Sequence, residues 1–500
     1  MRAWWKALGS GALCGLAFAP VGWWWTLLFA PALWLCELRE GEARANAWLG
    51  LWWGLACGVV MSWHAAPIFA QEARAEWLGG VAWTLAFVWY AGWSALFGWL
   101  MGWMRLSGWG WAVAAASVWT AIAWGRSLGA LGFPWAMLAL GLARMPLLVQ
   151  PADLGGVWLV EWLIMAWNGG LALIGRGQAR RVALGLSGLG VLWLGYGVAA
   201  MALLRTPQHS PLRVAVVQPK ADLPTSVFAP AIYDEQMEGW LRQAARHGAQ
   251  WAVLPEVAEP YTLSETSGSI AQERLQRWKG WAREYQLTIL LGARRFDKVG
   301  YNSALGIASE GGVAWYDKVK LMAFTEWSPP APLRNWLKGL WHVGCSLEAG
   351  AYAHALQVGQ SLPVGTLICV ESLFGWVARH QVRDGAQWLT VMANDYWLIG
   401  RAVREQYADF CVVRAIETRR WVARASTVGM SGFYAPTGAL VASLPMGKPG
   451  VLVYPIAPRT DQTLYVRWGD WWVYGCLGVV ALGLGWGWRP RGRQESLPRW

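Results

Sequence analysis

Three short runs carry residues able to do chemistry. Glu256 sits in AVLPEV, Lys318 in WYDKVKL and Cys369 in LICVES. Each follows an apolar stretch of the kind that forms a buried strand. A thiolate is a nucleophile, a carboxylate can take the thiol proton, and an ammonium can face the oxyanion formed at an attacked carbonyl. Together these are the parts of covalent acyl chemistry. Singly, each has a plainer reading: a packed thiol, a surface lysine, a loop carboxylate. The combination, in this order and each at a strand end, favours the chemical reading.

The elements around them alternate. Strand-like runs fall at 212–217, 250–254, 287–293, 303–308, 313–317, 365–370 and 387–393, with helix-like stretches at 234–247, 270–285 and 403–418. Shorter strands follow at 420–427, 432–435 and 439–444. Such alternation predicts an α/β layer architecture.

The rest of the chain has another character. It is 500 residues long, 56% hydrophobic and 14% charged, against about 25% charged in a soluble domain. Mean hydropathy is +0.28. Residues 1–204 and 468–488 hold the apolar excess, whereas 205–467 have ordinary soluble composition. A bilayer core needs about 20 apolar residues per helix. Candidate helices lie at 4–19, 21–36, 46–70, 78–104, 108–124, 157–175, 183–204 and 468–488. The expected domains are a bundle of about seven transmembrane helices over 1–204, a catalytic domain over 205–467, a last membrane helix over 468–488 and a basic cytoplasmic tail over 489–500.

The positive-inside rule orients this arrangement. Arg2, Lys6, Arg39, Arg44, Arg105 and the arginines of 176–181 and 489–499 fall on one side, with only Arg74, Arg126 and Arg144 on the other. With an odd number of helices before it, the soluble block lies outside the cytoplasm. The net charge of +12 is thereby largely topogenic, and without a basic stripe interleaved with aromatics it does not point to nucleic acid. Seven Cys and six His are scattered, giving neither a disulfide framework nor metal-ligand spacing. The 43 Trp exceed what interfacial belts explain.

At the three strand ends the chain resembles the nitrilase (carbon–nitrogen hydrolase) superfamily, and with helices on both sides it resembles the apolipoprotein N-acyltransferase family. The resemblance covers nearly the whole chain. It rests on GFPW at 132–135, ADLGG at 152–156, LPE at 254–256, YNSAL at 301–305, YDK at 316–318, FTE at 324–326, CVES at 369–372 and NDYW at 394–397. It implies a multi-pass α-helical membrane bundle joined to an αββα sandwich. It assigns Glu256 as base, Lys318 as oxyanion stabiliser and Cys369 as nucleophile, with Glu326, Asn302, Glu371 and the Val370 N–H in support. Trp397 matches an aromatic near the substrate channel. The implied reaction moves an acyl chain from a phospholipid such as phosphatidylethanolamine, through a thioester, to the α-amino group of a diacylglyceryl-cysteine at an apolipoprotein N-terminus. The implied place is the bacterial inner membrane with the catalytic domain periplasmic, as a monomer and without metal or cofactor.

Residues 320–345 carry Trp327, Trp336, Leu337, Leu340 and Trp341 with few charges. They are expected to form a lid that touches the bilayer, with Trp336 and Trp341 meeting substrate. Three features depart from the family pattern: Met322-Ala323 where Val-Pro is usual, Ser426–Gly429 where Asn precedes the turn, and a missing Glu before Arg126. The rival readings are a membrane-tethered amidase using water on a small amide, for which one helix would suffice, and a lipid-binding protein with a relic domain, which the intact triad disfavours.

Overall fold

The computed structural model describes residues 2–73, 75–175, 179–204, 211–219, 230–264, 269–327, 329–338, 340 and 347–487. The apolar part is built from α1 (Arg2–Gly15), α2 (Ala43–Ser62), α3 (Glu76–Trp103), α4 (Gly108–Gly125), α5 (Val157–Gly175) and α6 (Ala179–Ala202). Among the described residues, helical stretches long and apolar enough to cross a bilayer run over 43–72, 76–103, 157–174 and 182–202.

Small residues bring α2 and α3 together. A Cβ added at Gly50 would lie 2.1 Å from the Ser94 carbonyl oxygen, and one at Gly98 would lie 2.1 Å from that of Asn46. Backbones this close are the packing that drives helix association in lipid, where the hydrophobic effect supplies little between helices. The mid-segment tryptophans have a use here. Trp34 stacks on Trp53 at 4.7 Å, and Trp119 meets Trp53 edge-on at 5.4 Å. The buried Glu161 accepts from Trp119 Nε1 at 2.7 Å and the Ala139 amide at 2.7 Å, so this carboxylate binds the bundle together.

One expected span is not a single helix. Residues 21–36 form a 3₁₀ turn, Trp24–Leu28, and a separate short helix, Ala30–Leu35. Pro31 lacks the N–H that would continue the first turn, so it is tolerated only where a new helix begins. Pro67 likewise begins the helix Ala66–Glu72 after α2.

The soluble part is a sandwich of two sheets. One has the order β12-β1-β2-β4-β5-β6, with β3 also paired to β4; the other has the order β11-β10-β9-β8-β7. The first holds β1 (Leu212–Gln218), β2 (Trp251–Val253), β3 (Glu259–Leu263), β4 (Thr288–Asp297), β5 (Val299–Ile307), β6 (Val313–Asp317) and β12 (Gly450–Ile456). The second holds β7 (Val364–Ile368), β8 (Trp388–Ala393), β9 (Val422–Ser426), β10 (Gly432–Tyr434) and β11 (Leu440–Ser443). Alternation sorts β1: Val214 and Val216 enter the core between the sheets, while Ala215 and Val217 face helices α7 (Pro230–Arg246) and α8 (Ser269–Glu284). A short helix α9 (Ala331–Leu337) follows β6, and α10 (Gly375–Arg383) and α11 (Arg401–Thr418) cover the second sheet. The layers are therefore αββα.

The last helix, α12 (Trp471–Gly487), returns to the bundle. Helix α11 is shared between the two parts. Gln406 Nε2 donates to the carbonyls of Ala19 and Met61, Glu417 accepts from the Val157 amide at 2.8 Å, and Arg419, just beyond the helix, pairs with Asp153 at 2.6 Å.

Candidate active site

Strands β1, β2 and β4 run parallel, as do β7, β8 and β9. Open α/β sheets gather ligands at the carboxyl ends of such strands, and the candidate residues stand there. Glu256 follows β2 through Leu254 and Pro255. The chain then turns at Val257, φ +56°. The turn presses on β4 at Gly292, where an added Cβ would lie 2.5 Å from the Glu256 Cα. Lys318 is the first residue after β6, and its amide donates to the Asn302 carbonyl on β5 at 2.9 Å.

Four side chains close into one buried network. Lys318 Nζ donates to Glu326 at 2.8 Å and to Glu256 Oε1 at 3.3 Å. Asn302 Nδ2 donates to the same two carboxylates, at 2.6 and 2.8 Å. The Asn394 amide, just past β8, caps Glu256 Oε2 at 3.1 Å, and the Met322 amide caps Glu326 Oε2 at 2.7 Å. Lys318 is 1% exposed. Burial disfavours its charge, but Glu326 and Glu256 outweigh this and hold its pKa above the usual lysine range. Burial likewise works against the Glu326 anion, and the Lys318 charge overcomes it, drawing that carboxyl below its usual value.

Cys369 follows β7 at φ +50° and opens the tight turn Cys369–Leu373. This left-handed conformation is costly for a side-chain-bearing residue, about 1–3 kcal/mol, and persists where the surroundings enforce it. Glu371 supplies much of that enforcement. Its Oε2 accepts from the Ile368 amide at 2.9 Å, and its Oε1 from Tyr316 OH at 3.0 Å and the amides of Val319 at 2.7 Å and Lys320 at 3.2 Å. One carboxylate thus ties the Cys369 turn to the loop after Lys318. Burial pushes the Glu371 carboxyl up to about 7. The thiol is also pushed well above its ordinary value, first by burial and then by Glu256, against the opposing effects of Lys318 and a hydrogen bond from Tyr407 OH at 3.3 Å. A resting thiol at such a site is protonated, and a base must act during attack.

Residues 213–464 match the carbon–nitrogen hydrolase family, and residues 10–170 match the apolipoprotein N-acyltransferase N-terminal domain. The chain belongs to the carbon–nitrogen hydrolase family. Curated relatives span nearly the full length of the chain. An apolipoprotein N-acyltransferase of Geobacter metallireducens is 27% identical over 95% of this chain and 93% of its own. One of Gloeobacter violaceus is 29% identical over 98% and 94%. Among solved structures, an amidase from Nesterenkonia sp. is 19% identical, with a TM-score of 0.39, covering 55% of this chain and 98% of that one.

The structure brings Glu256, Lys318, Glu326 and Asn302 into direct contact, and places Cys369, Val370 and Glu371 on the adjoining turn. Trp397 is half-buried against the main core beside this end of the sheets. Trp336 stands apart on α9, 63% exposed to solvent. Trp341 lies outside the described residues. Of the stretch 320–345, the start is anchored: Lys320 Nζ donates to the carbonyls of Gly129 and Ala130 in the membrane part, at 2.8 and 3.0 Å.

Three contributors are absent from the site residues expected from sequence. Tyr407 reaches Cys369 from mid-helix, Asn394 acts through its backbone, and Lys320 acts as a bolt between domains. Only NDYW at 394–397 hinted at the second. The unusual Ser426–Gly429 turn also gains a role. Asp395, beside Asn394, accepts from Arg424 at 2.7 Å and Ser426 Oγ at 2.8 Å, and Ser426 Oγ accepts from the Gly429 amide at 2.8 Å. A serine here does the bonding that holds the β8 end in place.

Proposed function

We propose that this protein N-acylates the diacylglyceryl-cysteine at the N-terminus of apolipoproteins, taking the acyl chain from a phospholipid through a thioester on Cys369. The observation that carries the reading is the buried Glu256–Lys318–Glu326 network facing a cysteine turn that is fastened to a membrane bundle. A hydrolase of small amides has no need of that bundle, and the full-length relatives named above carry the acyltransferase name.

The proposed chemistry gives each of these residues a step. Glu256 accepts the Cys369 proton as sulfur attacks the ester carbonyl, general-base help worth roughly 10²–10⁴-fold. The oxyanion meets the Lys318 ammonium and the Val370 N–H, donors worth on the order of 10²–10³ in rate each. Lysophospholipid departs with the proton from Glu256, leaving the thioester. The lipoprotein amine then attacks, Glu256 takes its proton, and the C–S bond breaks with that proton returning to the Cys369 sulfur. Glu326 neutralises Lys318 on its far side and fixes its position, as Asn302 does for Glu256. Water must be excluded for the thioester to survive to the second step, and residues beyond Lys320, with Trp336 and Trp397, are proposed to cover the acyl chain. The asymmetry of arginines supports a catalytic domain on the periplasmic face of the inner membrane.

The test uses the purified full chain with phosphatidylethanolamine and a synthetic diacylated lipopeptide. The reading expects the peptide to gain one acyl mass, and the gain to vanish in Cys369→Ser. Release of free fatty acid, or hydrolysis of a small amide, with no mass gained by the peptide, establishes a membrane-tethered hydrolase instead, and amide hydrolysis makes it the amidase.

A further inference from the structure

Tyr407 lies in the middle of α11 and belongs to none of the sequence motifs. Its hydroxyl donates to Cys369 Sγ at 3.3 Å, and both groups are buried. Its ring is fixed by neighbours from both parts of the molecule. Trp135, in the membrane-side loop, stacks on it with centroids 5.7 Å apart and planes 14° from parallel. The Arg424 guanidinium lies 5.1 Å from its centroid and is itself held by Asp395 at 2.7 Å and the Met430 carbonyl at 3.0 Å. Trp135 is in turn set by its own N–H, which donates at 2.8 Å to Gln406, the residue before Tyr407. The phenol therefore has one place to be, and that place is against the sulfur.

We propose that Tyr407 is a further catalytic residue, whose hydrogen bond aims the Cys369 sulfur and stabilises its thiolate, and that Trp135 is the positioning residue through which the membrane domain holds it there. The inference rests on the reading of Cys369 as nucleophile. A sulfur that accepts from Tyr407 must point its own S–H elsewhere, which leaves that proton free for Glu256. When the S–H bond breaks, the proton passes to the carboxylate and the charge left on sulfur is met by the Tyr407 O–H. The phenol keeps its proton throughout, because burial and the neighbouring Cys369 set its own ionisation far above the usual tyrosine range. The same bond meets the sulfur again when the amine expels it from the thioester.

The inference is tested by alkylation of Cys369 with iodoacetamide across pH. The modified peptide is quantified by mass spectrometry, so that the other cysteines do not contribute. Hydrogen bonds to charged groups are strong enough that losing this one, in Tyr407→Phe, should raise the alkylation midpoint by about one to two pH units. Thioester formation from phosphatidylethanolamine should fall on the order of 10–100-fold with it. Trp135→Leu should move the midpoint the same way by less. Replacing Tyr407 by 3-fluorotyrosine, a stronger donor of the same shape, should lower the midpoint, and this variant serves if the phenylalanine does not fold. A midpoint unmoved by either change at 407 overturns the inference. Absence of lipid acylation in the wild type, with the alkylation midpoint still dependent on Tyr407, counts against the acyltransferase reading and still supports the role of Tyr407.

Discussion

The two sides of the proposed catalytic site are built differently. On the first sheet, Glu256, Lys318, Glu326 and Asn302 bond one another and nearby backbone amides, and nothing from the membrane part touches them in the contacts described. On the second sheet, Cys369 is held by Tyr407, and Tyr407 by Trp135 of the membrane loop. The half proposed to handle protons is thus held within the sandwich, and the half proposed to carry the nucleophile is shared with the bundle. On the proposed reading, an enzyme that takes acyl chains from lipid needs its sulfur registered to the bilayer, whereas its base and oxyanion partner need only be registered to the sulfur.

The largest break in this comparison should come from Lys318→Met. It removes an oxyanion donor, worth on the order of 10²–10³ in rate. It also strands two buried carboxylates, so breaking the pair should cost roughly 3–5 kcal/mol of stability; kcat/KM and the melting temperature should fall together. Glu256→Gln separates two effects. Acyl transfer should drop roughly 10²–10⁴-fold, yet the Cys369 alkylation midpoint should move to lower pH, because a negative charge that raises it is gone. A midpoint that rises instead shows that the carboxylate does not act on the thiol. In the bundle, Gly98→Leu should lower thermal stability by about 1–3 kcal/mol through overpacking against Asn46. The Cys369 alkylation midpoint of the folded fraction should not change. A shifted midpoint would extend the coupling of nucleophile and membrane beyond the loop of Trp135. The smallest effect belongs to Trp336→Ala on the exposed α9: KM for phospholipid should rise a few-fold with kcat for a short soluble ester unaltered, and unchanged lipid kinetics would remove this residue from the lid.

How far the sequence reveals this site depends on which interactions are local. Glu256, Lys318 and Cys369 are legible because each follows an apolar strand, and strand ends in an α/β layer converge. Glu371 is legible only through the CVES motif of the resemblance, since the tight turn it stabilises is seen only in the structure. Tyr407 is not, since nothing in the period of α11 separates a tyrosine that packs in the core from one whose hydroxyl meets a thiol 38 residues away. Strand β12 was missed for a similar reason: it pairs antiparallel with β1 across most of the soluble part, so its partner lies far away in sequence. The break inside 21–36 is not legible from hydropathy, which does not register that Pro31 starts a new helix after the turn Trp24–Leu28. The α/β layering is legible because strand and helix runs alternate along the chain, whereas the αββα form is implied by the family resemblance; β1 carries the two apolar faces it needs.

The most direct measurement of the central claim is the intact mass of the purified protein after incubation with phosphatidylethanolamine, with Cys369→Ser beside it. The account predicts one added acyl chain on the wild type alone, discharged when a diacylated lipopeptide is supplied. A wild-type mass that never changes while lipid is turned over, or an adduct that persists in Cys369→Ser, would contradict it.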